Sequence, residues 1–238
     1  MIATFAALLF AHVLADFVLQ TKWMVDNKRK PQVLLLHGLI VLSTAQLAMG
    51  NVSAWPLLAL ALAHVVIDAI KTYVPHKGGL APFLIDQIVH LVTLVVVAMM
   101  VPDLWQTGLW ADLAWLPGLL VIASGLIITT RAGGFAIGLL MRPWADSVPA
   151  GLENGGALIG KLERGLIFLL VLVGQPGGVG FLIAAKSILR FDTAREQSAG
   201  EYVIIGTLAS FGWALLFGYG TIVLLSYLPA VGILPQSP

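Results

Sequence analysis

Cysteine is absent from the 238 residues, which excludes disulfides, thiolate zinc sites and cysteine nucleophiles. Any metal bound by this chain must therefore use nitrogen and oxygen ligands. Charge is nearly as scarce. Asp, Glu, Lys and Arg make up 11% of the chain, less than half of the roughly 25% carried by soluble domains. With 13 basic and 12 acidic residues the net charge is +1. No basic stretch interleaved with aromatics is present either, so nothing points to nucleic acid.

Apolar residues fill the gap: 59% of the chain is hydrophobic and its mean hydropathy is +0.95. So few charges cannot cover a water-soluble surface, and a bilayer removes the need to do so. The expected fold is an all-α polytopic membrane bundle of about eight segments, each about 20 residues long. The apolar stretches fall near 2–21, 32–50, 55–74, 82–101, 115–141, 157–174, 177–191 and 202–228. Turn and interfacial residues separate them, as at Asn27–Pro31, Asn51–Pro56 and Gly174–Gly178. Met1 leads directly into apolar sequence without a basic leader region, so the first stretch is expected to be a retained transmembrane helix.

Basic residues set the expected orientation. Alternating loops place all 13 of them toward one side, which the positive-inside rule makes cytoplasmic. The opposite loops hold Trp105, Trp110 and Trp115 as interfacial anchors, and both termini face outward. The sixth and seventh segments carry Lys161, Glu163, Arg164 and Lys186; they form either a re-entrant hairpin or full spans with buried ion pairs. Two regions follow: residues 1–101, a four-helix repeat, and residues 102–238, a C-terminal membrane helical region with a short hairpin at 157–191.

The repeat places the polar residues. Ala11-His12-Val13-x-x-Asp16 recurs as Ala63-His64-Val65-x-x-Asp68, 52 residues on, and His37 is followed by His90 at a spacing of 53. Each helical hairpin thus supplies one His-x-x-x-Asp and one further His, as in a parallel tandem repeat. Residues four apart share a helix face, so His12 with Asp16, His64 with Asp68, and Asp86 with His90 each point as a pair. A helical rise of about 1.5 Å per residue puts the four histidines roughly 9–15 Å above the cytoplasmic boundary, with the aspartates of the repeat about one turn lower.

Ionisable groups inside a span face the bundle interior or a watery cavity. His12, Asp16, His37, His64, Asp68, Asp86 and His90 are accordingly candidate ligands of one or two divalent ions (zinc, manganese or iron), with an aspartate able to bridge. The alternative for these side chains is a set of helix–helix hydrogen bonds. Gln20 and Gln87 are placed to hydrogen-bond the ligands, or to serve as capping or interfacial amides. Lys71 lies three residues after Asp68, where it pairs with it, meets an anionic substrate or snorkels to headgroups. Lys161, Arg164, Lys186 and Arg190 are the further candidates for holding an anionic group, and Glu163 and Arg164 for an internal ion pair. Gly134/Gly138 and Gly156/Gly160 read as small-residue pairs that allow close helix approach.

These motifs resemble a known family. Ala11-His12-x-x-x-Asp16-Phe17-x-x-Gln20-Thr21-x-Trp23-Met24, His37, Phe83-x-x-Asp86-Gln87-x-x-His90 and Gly160-x-Leu162-Glu163-Arg164 carry the likeness. So does Gly180-Phe181-x-x-Ala184-Ala185-Lys186-Ser187-Ile188-x-Arg190-Phe191, followed by Glu201-Tyr202. Together they are similar to the bacterial membrane family catalogued as domain of unknown function 3307. The resemblance implies a prokaryotic inner-membrane protein with these polar residues as its signature, and brings no reaction with it. Other membrane enzymes fit poorly. The Ser-Gly-His segment of phosphatidic-acid phosphatases, His-Glu-x-x-His and the multi-aspartate signature of CDP-alcohol phosphotransferases are all missing.

Four functions are carried forward. The first is a membrane-embedded metal-dependent hydrolase or transferase on a lipid or anionic amphipathic substrate. The others are a divalent-cation transporter or sensor, a haem protein with paired histidine ligands, and a structural or assembly protein. The expected partners are membrane lipid and, as an option, further copies of the chain in a homo-oligomer, without nucleic acid.

Overall fold

A computed structural model describes residues 1–74, 78–147, 154–189 and 197–231. Lys77, Arg190 and Arg195 lie outside the described residues, as does the Pro-rich tail from 232. Among the described residues the regular structure is helical throughout, without a strand. Six helices are long and apolar enough to cross a membrane: Ile2–Leu19, Pro31–Met49, Trp55–Tyr73, Leu80–Met100, Leu116–Ala145 and Gly200–Leu225. The chain divides into two compact units. The first comprises residues 1–127 and 224–231; the second lies within 128–223.

In the first unit α1 (Ile2–Leu14) packs against α3 (Pro31–Met49), α5 (Leu80–Met100) and α6 (Leu116–Ile127), while α4 (Trp55–Tyr73) packs on α3 and α5. Small residues let α1 occupy that central position: Ala6, Ala7, Ala11 and Ala15 are all buried. The outward faces are the reverse of a soluble protein. Leu35, Leu39, Leu62, Val66, Ile85 and Val92 are exposed, a pattern suited to lipid and not to water. Pro31 opens α3 and Pro56 lies in the first turn of α4, where no N–H is missed.

At the end of α3 Gly50 adopts a left-handed conformation (φ 65°) and its carbonyl accepts from Leu109 N–H at 2.9 Å. Gly108 approaches so closely that a Cβ would lie 1.9 Å from the Met49 carbonyl oxygen. Trp110 and Trp115 are exposed, as expected of interfacial anchors, but Trp105 is buried. Its backbone N–H donates to Thr4 Oγ1, whose hydroxyl donates to Pro102 O. The tryptophan is turned inward to close the end of α1.

Two spans are interrupted by π-helical turns. Ala15–Leu19 follows α1, and Ile128–Ala132 separates α6 from α7 (Gly133–Met141). A π turn widens the helix and leaves carbonyls without their usual i+4 donor. In the second unit, α8 (Gly155–Leu172) and α9 (Gly177–Leu189) form a hairpin turned at Gly174 (φ 70°). With α10 (Gln197–Leu225) they enclose a core of Ile167, Val171, Val179, Phe211 and Ala214. Neither α8, which carries three charges, nor the shorter α9 is among the six membrane-length helices.

Candidate metal centre

The histidines and aspartates of α1, α3, α4 and α5 converge in the interior of the first unit. His12, His37, His64, His90, Asp68 and Asp86 are buried, and the side chain of Asp16, on the π turn after α1, is 10% exposed. Three sets offer ligand atoms within 4.8 Å of one another: Asp16, His37 and His64; His12, His64 and His90; and Asp68, Asp86 and His90.

The first set is the tightest. His37 Nε2 lies 3.2 Å from His64 Nε2, and Asp16 Oδ1 lies 3.3 and 3.4 Å from those two nitrogens. Asp68 Oδ2 completes the group at 3.5 Å from His37 Nε2 and 3.6 Å from His64 Nε2. Four ligands placed tetrahedrally at about 2.0–2.1 Å from one ion are separated by about 3.3–3.4 Å. Five of the six separations among these four atoms fall at 3.2–3.6 Å. The residues present fit a small divalent cation.

The other carboxylate oxygen, Asp68 Oδ1, faces away from this group. It is 3.9 Å from His90 Nε2, which is 3.7 Å from Asp86 Oδ1. Asp68 thus has one oxygen toward each set, the placement required of a bridging ligand. Neither ring nitrogen of His90 has a hydrogen-bond partner, nor has Asp16 Oδ1 or Asp86 Oδ1. Buried polar atoms are ordinarily paired, and these unpaired donors and acceptors could hold a further group.

A close helix crossing makes the geometry possible. A Cβ on Gly38 would sit 2.3 Å from Val65 Cγ2, so the bare backbone at 38 lets α3 and α4 approach next to His37 and His64. Ala15, Val41 and Ala61 pack the apolar core beside it.

Two lysines hold carboxylates of the cluster. Lys71 Nζ donates to Asp86 Oδ2 at 2.6 Å, and not to Asp68 as its sequence position suggested. Asp68 Oδ2 instead has Lys28 Nζ at 2.7 Å. Lys28 reaches it from the loop after α2 (Lys22–Asp26), which Tyr73 OH pins by donating to Arg29 O. Sequence reasoning missed Lys28, because the pairing depends on how the loop folds back on α4. Gln87 Nε2 donates to Asp86 Oδ2 at 3.2 Å, whereas Gln20 Nε2 is buried without a partner.

The same geometry argues against haem. The rings of His64 and His90 are 4.0 Å apart, and His12 and His37 lie within 5.6 Å of His64. Paired axial ligands at about 2.0 Å from an iron would be about 4 Å apart, with a porphyrin between them. The 3.2 Å between His37 and His64 is too short, and Asp16 and Asp68 occupy the flanks.

The remaining candidates lie in the second unit. Glu163 accepts from Lys186 Nζ at 2.7 Å, in place of the expected pair with its neighbour Arg164. Adjacent helical positions point about 100° apart, and Arg164 turns inward. Its Nε donates to Thr129 O, one terminal nitrogen to Thr130 O and the other to Ser210 Oγ, at 3.0–3.1 Å. Trp213 Nε1 donates to Ile128 O. Arg164 and Trp213 therefore cap carbonyls of the π turn. Gly133, Gly134 and Gly160 make room for the Arg164 side chain, since a Cβ at each would approach it within 3.0–3.2 Å. Lys161 is exposed, and Arg190 lies outside the described residues.

No curated protein matches the chain, and no solved structure matches it. Residues 4–112 match the family model described as "Protein of unknown function (DUF3307)", so the resemblance carried by the histidine and aspartate motifs holds over the segment that supplies every residue of the cluster.

Proposed function

We propose that the first unit holds a divalent metal ion and that the protein is a membrane-embedded metal-dependent hydrolase or transferase acting on a lipid or other anionic amphipathic substrate at the cytoplasmic leaflet of a bacterial inner membrane. The observation that carries the metal reading is the convergence of Asp16 Oδ1, His37 Nε2, His64 Nε2 and Asp68 Oδ2, with five separations of 3.2–3.6 Å among them. Charge supports it. Three carboxylates are buried or nearly so, but only Asp68 and Asp86 have a lysine partner. Asp16 faces imidazoles in place of a lysine, and a largely buried carboxylate is costly unless positive charge accompanies it. Mixed imidazole and carboxylate ligation suits zinc, manganese or iron. The Asp68 oxygens toward each set leave room for a second ion.

A bound divalent ion supplies Lewis acidity and lowers the pKa of coordinated water. The chain's own residues do the rest. Lys28 and Lys71 pair with Asp68 and Asp86 and temper their charge. His90, with two free ring nitrogens, can hold or pass a proton beside His64. Catalytic sites keep an open position, and Lys28 bears on this because it shares the Asp68 oxygen that would otherwise be a fourth ligand. Transport is less well supported. Beyond the cluster, toward the Thr4 end, α1, α3, α4 and α5 carry no ionisable side chain to continue a path.

Elemental analysis of the detergent-purified chain tests the metal. One or two divalent ions per chain are expected, lost in a His37→Ala/His64→Ala variant that keeps its helical circular dichroism. Equal metal in both proteins would remove the centre. Mass spectrometry of phospholipids incubated with metal-loaded protein tests the reaction. Product formation should vanish in Asp16→Asn, and absence of any product with a loaded centre would leave metal binding without catalysis.

A further inference from the structure

A cavity of about 620 Å³ lies within the second unit, walled by the π turn, α7, α8, α9 and α10. Its volume is in the range of small-molecule sites, and glycine shapes it. Gly138 and Gly156 line it, and a Cβ at either would meet nothing within 4 Å. Four cationic side chains border it: Arg131, Lys161, Arg164 and Lys186. Among the described residues of the wall the one carboxylate is Glu163, which Lys186 holds.

Arg164 is the buried member, 4% exposed. A guanidinium has five N–H donors, and three are spent on Thr129 O, Thr130 O and Ser210 Oγ. One N–H remains on each terminal nitrogen. Those nitrogens lie against Gly134 and Gly160, both on the cavity wall. The guanidinium, held in place by the π-turn carbonyls, keeps two N–H groups for an anion beside these glycines. Phe135, Ile137, Met141 and Val203 give the cavity an apolar side as well.

We propose that this cavity binds the phosphate group of an amphiphile, with Arg164 as its buried anchor and Lys161, Arg131 and Lys186 supplying the surrounding charge. The inference rests on residues of the second unit alone and does not depend on the metal reading. A lipid headgroup and a free phosphate offer the same oxygens to the fork, and binding measurements can separate them.

Native mass spectrometry of the full chain in detergent, titrated with dioleoyl phosphatidate, dioleoyl phosphatidylcholine or inorganic phosphate, reads the site. Phosphatidate is expected to be retained at least tenfold more tightly than phosphatidylcholine. Gly138→Leu fills the cavity without altering charge, and Lys161→Gln removes an exposed cation. Each should weaken phosphatidate by about tenfold or less, with the thermal midpoint unchanged. Gly180→Leu, at a position outside the cavity where a Cβ also meets nothing, should bind as the parent does. Displacement of phosphatidate by millimolar inorganic phosphate would assign the site to soluble phosphates, and resistance to it would assign the site to the headgroup; both uphold an oxyanion site. Equal retention of phosphatidate and phosphatidylcholine, or undiminished binding in both folded variants, would overturn it.

Discussion

In the first unit three carboxylates and four imidazoles converge with two ammonium groups between them, and several of their polar atoms have no partner. In the second, the buried Arg164 spends three donors on two carbonyls and a hydroxyl before it meets any ligand. Both units bury charge in an apolar chain, where that is costly. The comparison teaches how differently two buried charged centres can be held. Arg164 is held by the backbone that it stabilises, whereas the imidazoles of the first unit point at one another across distances that suit an ion between them. Depth alone does not distinguish the two; the count of satisfied donors and acceptors does.

The sharpest way to break the comparison is to remove ligands from the first unit. His37→Ala/His64→Ala should abolish stoichiometric metal while leaving the helices intact, as read by elemental analysis beside circular dichroism. Arg164→Met should do the opposite. It removes the donor that Thr129 O, Thr130 O and Ser210 Oγ share, and should destabilise the protein by about 3 kcal/mol, read as a lowered thermal midpoint with metal content unchanged. Should Arg164→Met also empty the metal centre, the separation of the two centres fails.

Two smaller effects sharpen it further. Gly38→Ala forces a Cβ against the stiff Val65 side chain and should cost about 1–3 kcal/mol. It should also weaken metal binding by widening the crossing that brings His37 to His64, although no ligand is changed. Lys28→Met should act in the other direction. Freeing Asp68 Oδ2 and removing a positive charge should tighten the metal by about tenfold at most, equivalent to roughly 1.4 kcal/mol. Competition with a chelator of known affinity measures both. Weaker binding in Lys28→Met would mean that the lysine is needed to hold Asp68 in place.

The membrane character of the first four spans and the residues of the cluster were legible in the chain. Apolar length and the His-x-x-x-Asp spacing depend only on helical rise and periodicity. Less legible was the number of spans. Residues 157–174 and 177–191 are apolar enough to suggest crossings, yet α8 carries Lys161, Glu163 and Arg164, and α9 runs only from Gly177 to Leu189. The glycines of α7 and α8 read as packing residues, and their second role, clearing space for Arg164 and the cavity, depends on which helix faces which.

Sequence by itself determined that this chain belongs in a bilayer, that a metal would need nitrogen and oxygen ligands, and that each His/Asp pair four residues apart shares a helix face. These follow from composition and from the fixed geometry of one helix. Only the tertiary structure decided that Lys28 takes Asp68 while Lys71 takes Asp86, that Lys186 takes Glu163, and that Arg164 caps a π turn more than thirty positions away. A long, flexible cationic side chain can reach several carboxylates or carbonyls, and the rotation and axial offset of the packed helices select among them.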